Sequence, residues 1–565
     1  MIKAKIISNL DKAMINGRFE DYAAIDRLSA LRGERISFQV LCELNVHEWG
    51  NNFSKLFAPS LSGALARYAT VRRVCHVPAT NNGRATPDAD YMTTAPCLMP
   101  DILMPLSYRG AVVLPPYNLV SLWVDIEIPE NATEVGESTL TVTLTPCAIG
   151  QMHSAGEEGT PGAVTCTLTV DIIDAALPAQ KLLFTQWFHS DCLANYYHVE
   201  NWSDAHFEII EKFARTAKKN GFRMLFTPLI SPPLDNAYDT RDLQLADVTK
   251  TEDGYAFGWE KLDRFIEIVD RVGIEFFEIG HLFTQGGAAR ATKVMGYVGG
   301  EYVRLFSKET PCDDPEYTKF LRAMLTSFLD HMRARGDDKR CYFHISDEPN
   351  GEQLECYMRA KATVADLLEG YPIMDALSHY EYYESGAVEK PIVLLDHLHE
   401  FIEHGVKGLF TYNCCAPDRF YSNRFLGMTL SRNRSISLLL YKFEIAGFLH
   451  WGYNFYNNSG SADCINPFLD TSSGDMFPSG DPFSVYPGEG GEPLESMRLL
   501  TFHEALQDLS AYELCESLYS REEVISVLEE EIGGEIKTTT YINDAAPMQK
   551  LRERINAMIK AKIAR

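Results

Sequence analysis

Two carboxylates stand side by side at the end of an apolar run in YFHISDEPNG, Tyr342 to Gly351. Tyr342, Phe343 and Ile345 read as a strand entering a core, Asp347 and Glu348 follow at once, and Pro349 breaks the run. Ionised groups are costly there unless they meet a partner or a ligand. Successive side chains of a strand point to opposite sides, so both can serve one ligand only where the backbone bends at the strand's end. Such a pair can divide acid–base work, because like charges in contact raise one pKa and keep a proton available near neutral pH. Glycoside cleavage needs a protonated carboxyl group for the leaving oxygen and a second group for the developing positive centre. Direct neighbours are awkward as an acid and a nucleophile that must flank the bond. They suit the substrate-assisted case, in which the sugar's own 2-acetamido oxygen attacks, Asp347 orients the acetamido nitrogen and Glu348 protonates the leaving group.

The elements that must hold this pair follow AALPAQ, where short apolar strands begin to alternate with helices. Strand candidates lie in LLFTQWFH, RMLFTPL, IEFFEIGHL, CYFHISDEP, PIMDALSHY, PIVLLDH, KGLFTYNCC and IAGFLHWGYNFY. Between the first two, Phe207, Ile210, Phe213 and Ala217 share one helical face, with Ser203 as N-cap and Gly221 as stop. About eight βα units of this length fit a (β/α)8 barrel better than an open sheet. No GxGxxG or GxxxxGK[ST] opens a helix, which argues against a nucleotide fold.

A barrel collects its chemistry at the C-terminal strand ends. The first strand delivers Trp187, His189 and Asp191; the third Glu278 and His281, with Gln285 beyond. The fourth gives Asp347 and Glu348, the fifth Asp375, His379 and Tyr380, the sixth Asp396. The seventh offers Tyr412 and Asn413, and the last Trp451, Tyr453 and Asn454. Aromatic faces stack on the apolar side of a pyranose while Asp, Asn and His bind its hydroxyls. Any one of these residues also has a plain structural reading, as a helix cap, an arginine partner or core packing. Their coincidence on one rim carries the argument.

Ahead of this region the chain reads as all-β. Arg35–Asn45, Val120–Pro129, Ser138–Pro146 and Ala163–Ile173 alternate largely with period two, one face toward a core and the other toward water, punctuated by clusters such as GEEGTPG. The expected architecture is multidomain β plus α/β. It has an N-terminal β-sandwich over 1–176, a (β/α)8 barrel over 177–515 and a helical C-terminal extension over 516–565 that finishes or buttresses the barrel.

A formal charge of −26 argues against nucleic acid or an anionic membrane as partner, and no lysine or arginine run offsets it. No apolar segment approaches a membrane span, and the N-terminus lacks the pattern of a secretory signal. The 13 cysteines show no CxxC pairs, and Cys414 and Cys415 are neighbours. A cytoplasmic enzyme with reduced thiols is expected, with no metal or organic cofactor and with the oligomeric state left open.

YFHISDEPN, with FTQWFHSDCLANYY, MLFTPLISPPLDN, IGHLFTQGG, IMDALSHYEYY, SNRFLGMTLSRNR and GFLHWGYNFYN, resembles proteins carrying the domain of unknown function 4091. That group is related to the β-N-acetylgalactosaminidases of glycoside hydrolase family 123. The resemblance runs from about Lys181 to beyond Leu509. It implies a retaining, acetamido-assisted glycosidase acting on terminal β-linked N-acetylgalactosamine of a glycan or glycolipid, with the family's adjacent Asp-Glu matching Asp347 and Glu348. Tyr380 or Tyr412 is then placed to hold the acetamido carbonyl and Trp451 to form the sugar's floor. Where an aromatic is expected after Gln285, this chain has Gly286 and Gly287.

Three other readings stay open. A conventional glycosidase would pair Glu348 with Glu278, Asp375 or Asp396 and need no N-acetyl group. A metallohydrolase would be built from His189, Asp191, His281 and His344. A non-catalytic carbohydrate-binding protein would keep the fold alone.

Overall fold

The computed structural model describes residues 2–44, 54–83, 88–106, 110–147, 162–232 and 240–564. Asn45 at the end of an expected strand, the punctuation before Gly162, and the PLDN end of one motif lie outside these residues.

The N-terminal region is two five-stranded sheets. One runs Ile2–Ser8, Arg35–Leu44, Leu119–Glu127, Ala69–Ala79, Cys97–Pro105, all antiparallel. The other runs Arg27–Arg32, Val164–Ala176, Gly136–Cys147, Lys55–Ser62, Val112–Leu114. Phe38, Val40, Leu122, Val124, Leu140 and Val170 interdigitate between them. Several of these strands carry weak signals: Ala69–Ala79 contains two arginines and a register shift at Cys75–His76, and Cys97–Pro105 contains two prolines.

Alternation predicts an outer face in water, but the outer face of the two strands Arg35–Leu44 and Leu119–Glu127 is largely buried. Arg35–Leu44 has a single residue that is not fully buried. The polar half of the alternation is instead satisfied internally, as burial demands. Ser121 Oγ donates to Gln39 Oε1 at 2.6 Å, and Ser37 Oγ and Trp123 Nε1 donate to Asp125 Oδ1 at 3.0 and 2.7 Å. Trp123 packs on Leu430, Met497 and Leu500 of the following region. The C-terminal helix Ala545–Ile563 joins the seam: Ser29 donates to Glu553, and Arg552 bridges Glu34 and Asp508 at 2.8 Å each. The tail therefore ties the two regions together. No helix among the described residues is long and apolar enough to cross a membrane.

The second region carries eight short strands, parallel within two sheets. In chain order they are Leu183–Gln186, Met224–Thr227, Phe276–Ile279, Cys341–Phe343, Ala376–Leu377, Ile392–Leu394, Phe410–Tyr412 and Gly447–His450. The first, eighth, seventh, sixth and fifth form one sheet, and the second, third and fourth the other. Two seams join the sheets: Arg223 N–H donates to Phe184 O at 3.0 Å, and Phe343 pairs with Ile373. Between the first two strands, helix Asp204–Lys219 starts at Ser203, whose side chain accepts from His206 N–H, and buries Phe207, Ile210, Phe213 and Ala217. Gly221 follows in the left-handed region.

Close packing of strands shows at Gly447, where an added Cβ would lie 1.6 Å from the Phe410 ring. Phe410 is itself buried, so the ring has no free space to enter. Gly447→Ala is expected to destabilise the protein by about 1–3 kcal/mol through overpacking. Denaturant titration reads this as a lowered midpoint at unchanged slope.

Candidate active site

The apolar run Cys341–Phe343 ends as expected, and the chain then turns through Asp347 and Glu348. Glu348 sits at φ +43°, a left-handed conformation that a non-glycine residue holds only when its surroundings over-determine it. The turn is pinned from two sides. The loop after the third strand supplies Gly286 N–H to Asp347 O at 3.1 Å and Gln285 Nε2 to Asp347 Oδ2 at 2.9 Å. It also brackets Ser346, whose hydroxyl donates to Thr284 O and accepts from Ala288 N–H. The fifth strand takes Glu348 N–H on Ala376 O at 3.0 Å. Gly287 makes this loop possible, since at φ +87° an added Cβ would lie 2.5 Å from Gln353 Cβ.

Asp347 and Glu348 open on a cavity of about 100 Å³. Its other described walls are Trp187, Gln285, Ala376, Tyr412, Cys414, Cys415, Leu449, Trp451 and Phe477. Asp347 is buried and Glu348 exposed. The buried Tyr412 hydroxyl donates to Glu348 Oε1 at 2.6 Å, and burial with that carboxylate beside it drives the phenol's pKa well up. Trp451 is anchored by Nε1 donating to Asp481 Oδ2 at 3.0 Å, and Phe477 packs on it with ring centroids 4.7 Å apart.

Of the rim residues expected from the sequence, Trp187, Gln285, Tyr412 and Trp451 line the cavity with the pair. The others are placed outside its described lining. His189 and Asp191 face Arg241, which donates to both Asp191 oxygens at 2.6 and 2.7 Å and contacts His189 Nδ1 at 3.1 Å. Burial, then Arg241, pushes His189 down to about 3, so it stays neutral. Asn454 exchanges hydrogen bonds with the His189 backbone, Tyr453 donates to Phe213 O in the core, and Asn413 donates to Ser422 O. Tyr380 stacks on His404 at 4.1 Å, and the His379 ring lies 6.4 Å from that of His397. His281 is buried against His344.

Glu278 and Asp375 are also fully buried, on either side of His344. His344 Nε2 meets Glu278 Oε1 at 2.9 Å and Nδ1 meets Asp375 Oδ1 at 3.1 Å. Burial alone would lower the imidazole's pKa, but the two carboxylates prevail and raise it to about 9. His281, His344 and Asp375 bring donor atoms within 4.8 Å of one another. They do not fit a metal: both His344 nitrogens are engaged by carboxylates, and the imidazoles of His281 and His344 stack 26° from parallel.

Phe477, Cys414 and Cys415 were not among the expected site residues. Phe477 comes from a loop with no periodicity, and that loop is pinned by the N-terminal region: Asn81 Nδ2 donates to Phe477 O at 3.0 Å and Ser479 N–H to Asn81 O at 2.7 Å.

The family model described as glycoside hydrolase 123, catalytic domain, matches residues 187–515. Among solved structures, a family 123 glycoside hydrolase from Clostridium perfringens, described for glycolipid glycan hydrolysis, aligns over 100% of this chain and 98% of its own, at 17% identity and TM-score 0.74. A maltogenic alpha-amylase from Thermotoga neapolitana aligns over 59% of this chain and 76% of its own, at 11% identity and TM-score 0.29. No curated protein matches the chain.

Tyr412→Phe removes the hydroxyl that donates to Glu348. A hydrogen bond to a charged group contributes about 1.5–3 kcal/mol, so kcat/KM on a cleaved glycoside is expected to fall about 10–100-fold. Circular dichroism should show the fold unchanged.

Proposed function

The chain belongs to glycoside hydrolase family 123, and on that premise we propose that it releases terminal β-linked N-acetylgalactosamine with retention, by acetamido-assisted catalysis. One observation carries this reading: Asp347 and Glu348 are the only carboxylates in the cavity's described lining. Glu278 and Asp375, the partners a conventional mechanism would recruit, are fully buried at 0% exposure, and they and Asp396 lie outside the described lining.

In the first step the acetamido oxygen attacks the anomeric carbon while the bond to the leaving oxygen breaks, and Glu348 gives that oxygen its proton. Buried Asp347 accepts from the acetamido N–H and stabilises the positive charge that spreads onto the resulting oxazolinium ring. In the second step Glu348 takes a proton from water, the water oxygen bonds to the anomeric carbon, and the ring opens to the free sugar. Tyr412 donates to Oε1 of Glu348, which leaves Oε2 to carry the transferred proton. Glu348 is exposed, as a group meeting both the leaving group and water must be. Trp187, Ala376, Leu449, Trp451 and Phe477 supply apolar surface for a pyranose face and an acetamido methyl group, with Trp451 as the floor.

We read the two parallel sheets as one interrupted (β/α)8 barrel. The Arg223–Phe184 and Phe343–Ile373 seams support closure, and the cavity then occupies the C-terminal strand ends, where such barrels keep their sites.

The test compares nitrophenyl and alkyl β-N-acetylgalactosaminides. Glu348→Gln is expected to lose about 10²–10⁴-fold on the alkyl glycoside, the usual worth of a general acid, and far less on the nitrophenyl one. Asp347→Asn should slow both. Equal, total loss on both substrates in both variants, with the fold collapsed, would make the pair structural.

A further inference from the structure

We propose that the buried chain Glu278–His344–Asp375 is the positioning device of the reacting pair, with His344 as its central positioning residue. The inference rests on Asp347 and Glu348 being that pair.

Asp375 reaches across from the fifth strand to the backbone just ahead of the pair. It accepts Ile345 N–H at 3.0 Å and Ser346 N–H at 3.4 Å, besides the Tyr357 hydroxyl and His344 Nδ1. One residue on, Ala376 takes Glu348 N–H. Two consecutive residues of the fifth strand region thus fix three of the four peptide N–H groups between Ile345 and Glu348. Without them the turn keeps only its contacts with the loop after the third strand and with Tyr412, and the left-handed Glu348 is intrinsically uphill.

The other end of the chain leads to the sugar-facing wall. Glu278 accepts Trp187 Nε1 and Thr185 Oγ1, both at 2.6 Å. Trp187 lines the cavity. Through His344 the wall that would meet the substrate and the turn that would deliver the acid are held in one frame.

The charge balance explains why this frame needs histidine. Two fully buried carboxylates repel each other and are strongly disfavoured unless a cation lies between them. A doubly protonated imidazole donates to both at once. His281 stacks on it, ring centroids 4.4 Å apart, and burial together with the His344 charge keeps His281 neutral. Every titratable group facing His344 is therefore accounted for: Glu278, Asp375 and His281 directly, and Tyr357 behind Asp375.

Raising a folded-state pKa above the ordinary 6.5 means that the stability it brings is full below about pH 6.5 and is lost as pH rises through about 9. Over the same window the clamp loosens, so wild-type kcat should fall on an alkaline limb near pH 9.

The experiment measures kcat, KM and Tm from pH 5 to 10 for wild type, His344→Gln, Tyr357→Phe and Glu348→Gln, on an alkyl glycoside that the wild type cleaves. His344→Gln is expected to lose at least tenfold in kcat with KM within about threefold, to lack the alkaline limb, and to show a flatter Tm–pH curve. Tyr357→Phe touches neither cavity nor turn. By removing a donor from Asp375 it should lower kcat severalfold and move the limb to higher pH, and it decides the matter if His344→Gln does not fold. Folded variants with wild-type kcat and an unmoved limb, beside an inactive Glu348→Gln, would overturn the positioning role alone. A fully active Glu348→Gln would overturn the reading of the site on which it rests.

Discussion

An imidazolium held between two fully buried carboxylates is the interaction from which the site is built outward. Glu278, His344 and Asp375 belong to three different strands or strand ends, and both carboxylates have other donors to satisfy. Shifting any one of them leaves a buried charge without compensation, which costs more than the ion pair itself contributes. The arrangement therefore specifies position more than it supplies stability. What it specifies is a turn that would otherwise relax: Asp347 facing the cavity from a buried position, and Glu348 exposed beside it in a left-handed conformation.

The same trade recurs at the seam between the two regions. An antiparallel sheet usually keeps one face wet, yet around Trp123 the outer face of the first N-terminal sheet is covered by the parallel-strand region and the C-terminal helix. Its polar side chains are retained and paired, Gln39 with Ser121, Ser37 and Trp123 with Asp125, and beside the sheet Arg552 of the C-terminal helix pairs with Glu34 and Asp508. Such contacts have directional demands that an apolar interface lacks, so they fix how the regions sit. The segment around Asn81 then reaches the loop carrying Phe477, so the N-terminal region sets one wall of the cavity without supplying a residue to it.

Much of this was legible in the sequence where the signal is local. Apolar runs marked all eight parallel strands, and Ser203 and the Phe207-to-Ala217 face marked a helix, because period and capping are properties of neighbours. The Asp347–Glu348 adjacency pointed to acid–base work, and the structure brings both residues to one cavity. What stayed hidden depends on partners far along the chain. His189 and Asp191 look like rim residues until Arg241, about fifty positions on, claims them. Glu278 and Asp375 look like alternative catalysts until His344 holds both in the core, outside the cavity's described lining. Phe477 has no periodic context at all, and the N-terminal strands with arginines and prolines were not among the strand candidates because their pairing, rather than their composition, makes them strands.

The central claim is that the sugar's own acetamido group does what a second flanking carboxylate would otherwise do. Hydrolysis of nitrophenyl β-N-acetylgalactosaminide beside nitrophenyl β-galactoside tests it with one change of substituent. The account predicts turnover of the N-acetylated sugar and essentially none of the plain galactoside. Comparable turnover of both would contradict it, because cleavage would then proceed without the group to which Asp347 is assigned.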